Sequence, residues 1–174
     1  MPSFYPYLIS SLPLLHFGLR SQISFEKFLT RCREFIPQKD VEVLEDLPLP
    51  DAHRRVPLII KKWRDFEAIL RNELVKLRAG RKKKDPAKYL RPAGYAGSSV
   101  YHLALAAQRN PSPLEAERLL DYERWNFLEE LSFGHYFDLD FLIIYAYKLL
   151  ILERWERINL AEKDKLLAET LAGD

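Results

Sequence analysis

Histidines with nearby carboxylates are the side chains of this sequence that could carry metal or acid–base chemistry. The chain has four histidines, none paired with another at helical spacing: His16, His53, His102 and His135. Asp138 and Asp140 follow closely after His135, and one histidine with two carboxylates can ligate a divalent metal. Aspartates at this position also cap a following helix and complement its dipole. We therefore interpret the group as a helix start and expect no metal site.

The other common catalytic signatures do not occur in the sequence. Cys32 is the single cysteine, so the chain forms no internal disulfide, and no Cys/His spacing matches a zinc module. A Glu-x-x-His pair, a nucleophile elbow, a phosphate-binding loop and a dinucleotide fingerprint are all absent. We expect a protein without cofactor or catalytic residues. An enzyme of unidentified chemistry is the alternative, and it would need a deep pocket with converging polar groups.

A basic segment has the composition of an interaction surface. Residues 54–91 contain 14 Lys and Arg against 4 Asp and Glu. The overlapping residues 80–97, here called the basic loop, are broken by prolines and glycines. Tyr89 and Tyr95 lie near its cations. We predict that six residues contact a partner: Arg81, Lys82, Lys83, Lys84, Lys88 and Arg91.

Three interpretations of this segment stay open. An acidic face of a protein, or RNA or DNA, would be attracted by the charge. A solvated turn is also favoured, because the helix dipole stabilises cations at a helix C-terminus. No stacking motif of a nucleic-acid module accompanies the charge, which makes nucleic acid the weaker choice. The rest of the chain offsets the charge: residues 1–91 carry net +8, residues 92–174 carry −6, and the total is +2.

Helical signals position these residues. Ser24 is expected to cap a short helix that ends by Pro37, and apolar residues from Leu58 recur at helical spacing until Gly80. Later helices are expected over residues 100–109, from the capping box at Ser112 to about residue 133 before Gly134, and from Asp138 to about residue 171.

The last of these helices is apolar nearly all round in its first half, which predicts burial on most sides, and charged in its second. No segment alternates with period two. The sequence therefore predicts an all-α, single-domain helical bundle over residues 1–174, with the basic loop between its two halves. Trp63 and Trp125 are expected in the core, and Trp155 is expected near an interface.

We expect neither a signal peptide nor a membrane span. The start is apolar but has no basic region before it, and Pro2, Pro6 and Pro13 interrupt it, so we expect it to pack into the core. The longest apolar stretch, residues 139–152, is shorter than the roughly 20 residues needed to cross a bilayer. A cytoplasmic protein is the expectation.

Several stretches without chemical motifs resemble a known family. These are residues 5–13 with 24–29, residues 70–91, and residues 135–140. They are similar to an uncharacterised bacterial family encoded within V/A-type ATPase operons. Residues 115–131, 137–139 and 145–157, and more weakly 63–78, resemble a repeating unit of the rotary-ATPase subunit known as C, or as d in eukaryotes. That larger all-helical protein sits on the rotor ring and receives the central stalk.

The resemblance implies a function without catalysis. It suggests a peripheral or accessory ATPase subunit that links the rotor ring and central stalk or aids assembly, at the cytoplasmic face of the inner membrane. The partners would be other ATPase subunits, and the membrane would be met only through the complex. The alternative is an RNA-binding or ribosome-associated helical protein that uses residues 54–91.

Overall fold

The computed structural model describes residues 4–49, 56–94 and 98–172, and within these ranges the chain is helical. A single β-bridge joins Phe4 and Asp138, and the described residues form no strand beyond it. One turn of 3-10 helix covers Ala87–Tyr89. The α-helices are α1 Pro6–Ser10, α2 Phe25–Phe35, α3 Gln38–Glu45, α4 Leu58–Arg81, α5 Ser98–Arg109, α6 Pro113–Ser132 and α7 Leu139–Ala172.

The predicted all-α class is confirmed, and so are most of the helix starts. The Ser24 hydroxyl accepts from the Lys27 amide at 3.2 Å, and the Ser112 hydroxyl accepts from the Glu115 amide at 3.3 Å, so both serines act as N-caps. Helix α3 was not predicted. Pro37 ends the α2 region as expected, but it also stands directly before α3, where a missing N–H costs nothing.

Two compact units make up the chain. The first combines residues 1–55 with 131–174, and the second is residues 56–130. In the first unit α7 contacts both α2 and α3, and six consecutive α7 residues, 142–147, are buried. The predicted burial of this half is confirmed, and the residues from Arg157 to Asp164 are mostly exposed, as expected for the charged half.

The N-terminal segment packs into the first unit, as the sequence predicted. Tyr5, Leu8 and Ile9 are buried, and the Tyr5 hydroxyl donates to the buried carboxylate of Asp40. This bond satisfies a charge that would otherwise be costly to bury. None of the described helices has a stretch that is long and apolar enough to span a membrane.

The second unit contains α4, α5 and α6 as far as Glu130. Leu70, Ala107 and Leu120, one from each helix, form a buried cluster. The Phe66 and Phe127 rings stack with centroids 4.2 Å apart, and Trp63 lies beside both. Trp63 and Trp125 are buried, which confirms them as core residues, whereas Trp155 of the first unit is half-buried.

Candidate functional site

Helix α4 carries the basic loop at its C-terminus. The helix continues through Gly80 to Arg81, so Gly80 is not the terminator that the sequence predicted. The Lys84 amide donates to the Ala79 carbonyl at 3.0 Å, and the Lys83 amide donates to the Gly80 carbonyl at 3.1 Å. This pair of bonds is a Schellman motif, which places its left-handed residue three positions after Gly80.

Lys83 occupies that left-handed position, with φ of 51°. A side chain here costs about 1–2 kcal/mol relative to a helical backbone, which is why glycine is the usual residue. The loop therefore begins with a strained lysine between two others. Local strain of this kind concentrates at functional sites.

The basic loop is anchored, because side chains of α4 form hydrogen bonds with its backbone at residues 89 and 91. The Asn72 side chain donates to the Arg91 carbonyl at 2.8 Å and accepts from the Arg91 amide at 3.0 Å. Arg71 donates to the Tyr89 carbonyl at 3.0 Å. Asn72 is only 8% exposed, so both of its bonds are shielded from competition with water. We call this pair of bonds the Asn72 clamp.

All six predicted contact residues are exposed on this loop: Arg81, Lys82, Lys83, Lys84, Lys88 and Arg91. Among the described residues, none of the six forms an ion pair with a carboxylate. Tyr89 is 54% exposed in the same loop, whereas Tyr95 lies outside the described residues. The loop thus presents several uncompensated positive charges on an anchored backbone.

Two cations of the second unit outside the loop are paired. Lys76 lies 2.7 Å from Glu73, and Arg124 bridges Glu67 at 2.6 Å and the fully buried Asp121 at 2.9 Å. These two cations are tied to carboxylates of their own unit, whereas the six loop cations form no such pair with the described residues. Because α4 rises about 1.5 Å per residue, Lys62 is about 30 Å from Lys82, so the cations of the described residues 56–91 are spread along the length of the helix. Arg54 and Arg55 lie outside the described residues.

The structure brings His135, Asp138 and Asp140 together. Their ligand atoms lie within 4.8 Å of one another, and within the described ranges no other group of this kind occurs. His135 Nδ1 is 2.6 Å from Asp138 Oδ2, and Asp138 Oδ1 accepts from the Phe141 amide at 3.0 Å. The predicted capping role of Asp138 is confirmed. A cation here would lie against the positive end of α7, and both oxygens of Asp138 already have partners.

Among the described residues, the other histidines and the cysteine do not join the His135 cluster. His16 and His102 stand apart from this cluster, and His53 lies outside the described residues. Cys32 is fully buried, and burial raises the pKa of its thiol to about 12, against a smaller opposing effect of Arg33. Its thiol is therefore neutral near pH 7 and is not a nucleophile.

Sequence reasoning missed the Asn72 clamp. No local signal could have found it, because Asn72 lies two residues from both Leu70 and Leu74 and therefore off the apolar stripe of α4. The partner is the backbone 19 residues later, which no local pattern reveals.

Comparison with known proteins gives one match. Residues 100–171, which cover most of α5, all of α6 and nearly all of α7, are similar to a family described as "Protein of unknown function (DUF2764)". That description states no activity, ligand or partner, and it mentions neither V/A-type ATPases nor any component of them. No curated protein and no solved structure matches the chain.

Proposed function

We propose that this chain is a non-catalytic peripheral or accessory subunit of a bacterial V/A-type ATPase, which links the rotor ring and central stalk or aids their assembly. The basic loop would bind an acidic face of another ATPase subunit at the cytoplasmic side of the membrane. The observation that carries the proposed contact is the set of six exposed cations without carboxylate partners. The choice of complex rests on the resemblance of residues 5–13, 24–29, 70–91 and 135–140.

The anchored backbone suits such a contact. Binding costs less conformational entropy when the binding segment is already held in place. Here the Asn72 clamp holds the loop in place before any partner binds. Uncompensated charges of one sign also speed association with a surface of the opposite sign and select against like-charged partners. Transmission of force needs stiffness, and α4 supplies a continuous helix of 24 residues behind the loop.

Charge reversal at the loop tests the proposal. The variant Lys82→Glu/Lys83→Glu/Lys84→Glu is compared with Lys39→Glu/Lys61→Glu/Lys62→Glu, which changes net charge equally at exposed positions outside the loop. Each tagged protein is purified from its source cells, and ATPase subunits are identified by mass spectrometry. Helicity and melting temperature are measured for both variants.

We expect the wild type and the control to retain ATPase subunits and the loop variant to lose them, with helicity unchanged. Retention by the loop variant would contradict the proposed contact. A wild-type preparation without ATPase subunits would contradict the proposed complex.

RNA binding by the same loop is the second candidate. Exposed Tyr89 stands next to Lys88, and an aromatic ring beside cations can stack on an unpaired base. RNA binding would weaken steeply with salt, with a slope of log K of about −0.7 per neutralised phosphate of a single strand. Titration of the protein with a fluorescent single-stranded RNA at several salt concentrations distinguishes RNA binding from binding to an acidic protein. No binding near physiological salt would favour the protein partner.

A further inference from the structure

A cleft in the first unit is lined by two cations together with polar and apolar residues. It has a volume of about 580 Å³, within the range of small-molecule sites. Its lining includes Leu12, Gln22, Ile23, Lys27, Thr30 and Arg31, and no carboxylate belongs to it. Lys27 and Arg31 lie one turn apart on the same face of α2.

Two backbone acceptors that line this cleft are already used. The Pro13 carbonyl accepts from the Tyr145 hydroxyl at 2.8 Å, and the Ser11 carbonyl accepts from Arg31 at 3.4 Å. Burial raises the pKa of Tyr145, against the opposing charge of Arg31, so its hydroxyl stays a donor. The Thr30 hydroxyl donates to the Glu26 carbonyl at 3.0 Å.

The donors of the cleft have capacity left. Lys27 carries three N–H groups and Arg31 five, of which the Ser11 carbonyl occupies one. Among the described residues neither cation pairs with a carboxylate, and the Gln22 amide has no hydrogen-bond partner. Two like charges at i and i+4 repel each other on a bare helix, and an anion between them removes that cost.

We propose that this cleft binds a phosphate-bearing ligand, with the phosphate held between Lys27 and Arg31 and the ligand's apolar part over Leu12 and Ile23. A phosphate offers acceptors, which match the N–H groups that Lys27 and Arg31 leave free. Arg31 can hold two phosphate oxygens at once, and Lys27 adds a point charge. This site is independent of the ATPase proposal, because all of its residues belong to the first unit.

Amide NMR titration tests the site. Inorganic phosphate and pyrophosphate are added at constant ionic strength to the wild type, to Lys27→Gln/Arg31→Gln and to the matched control Lys61→Gln/Lys62→Gln. We expect saturable shifts at the amides of residues 27–31, at least tenfold weaker binding in the cleft variant, and no change in the control. If the double variant does not fold, Lys27→Gln alone serves, because the Lys27 side chain forms no ion pair with the described residues.

A parallel arm uses vesicles containing phosphatidic acid. Saturation by phosphate or pyrophosphate in solution supports a soluble ligand, and binding only to the vesicles supports a lipid headgroup. Linear, unsaturable shifts without vesicle binding would overturn the proposal. Equal binding by the wild type and the cleft variant would overturn it as well.

Discussion

The end of α4 and the end of α6 both turn through a residue with positive φ, but a lysine takes that position in the first and a glycine in the second. Gly134 has φ of 87° and Lys83 has φ of 51°. After Gly134 the side chains of His135 and Asp138 form a hydrogen bond with each other. After Lys83 the cations have no carboxylate partner among the described residues.

We interpret the connection after α6 as one that stabilises the fold, and the connection after α4 as one that exposes its cations. Glycine removes the backbone strain of the left-handed position, and Asp138 then caps the next helix. The basic loop keeps the strain and relies on a buried asparagine from its own helix. Departures from local preference of this kind are expected at functional sites.

The Asn72 clamp is the contact whose loss should matter most. Asn72→Ala removes two hydrogen bonds to Arg91, and we expect unfolding free energy to fall by about 2 kcal/mol in urea titration. Hydrogen exchange of the Arg91 amide should accelerate. The control, Asn159→Ala, lies at an exposed position of α7 and carries the same gain in helix propensity. A loss no larger than in the control would mean that the clamp does not hold the loop.

Two glycines should respond in opposite directions. Gly134→Ala should destabilise the protein by about 1–2 kcal/mol, because an alanine at φ of 87° is strained although its Cβ has space. Gly80→Ala lies inside α4 with equally open surroundings and should stabilise by about 0.5–1 kcal/mol. Chemical denaturation of both variants measures the difference. Equal effects would show that the connection after α6 does not depend on glycine.

Substitution of Asp138, the N-cap of α7, tests how the connection between α6 and α7 is stabilised. Asp138→Ala removes the acceptor of the Phe141 amide and should cost about 1 kcal/mol in thermal unfolding. Asp138→Asn keeps an acceptor oxygen and should recover most of the loss. If both substitutions cost the same, the charge beside His135 matters more than the cap.

Relief of strain at Lys83 should give the smallest change. Lys83→Gly is expected to raise stability by about 0.5–1 kcal/mol, because glycine adopts the left-handed position at little cost. Lys82→Gly removes the same charge at φ of −89° and should not stabilise. Loss of stability in both variants would show that the Lys83 side chain supports the fold rather than being exposed for a partner.

Local sequence signals account for much of the fold. Serine caps, the apolar stripe of α4 and the left-handed glycine before α7 each act within one helical turn, so their effects can be predicted from neighbouring residues. Helix α3 escaped prediction because its eight residues depend on burial of Val41 and Leu44, a tertiary contribution.

The candidate site divides in the same way. The six cations and their place after α4 could be predicted, because residue type and helix end are local properties. Their lack of carboxylate partners could not, since ion pairing depends on where folding places the carboxylates: Glu73 pairs with Lys76, and Glu67 and Asp121 pair with Arg124. The cleft of the first unit could not be predicted from the sequence either, because it depends on contacts such as that between Pro13 and Tyr145, which are 132 residues apart.

By itself, the sequence determined an all-helical chain, the burial of the first half of α7 and the charge of the loop, because periodicity and composition act over a few neighbouring residues. Only the tertiary structure decided which charges are neutralised and which backbone groups Asn72 binds. It also decided which hydrogen-bond donors have no partner in the cleft of the first unit. Those outcomes depend on groups far apart in sequence, and hydrogen bonds and ion pairs form only where folding brings partners within about 3–4 Å.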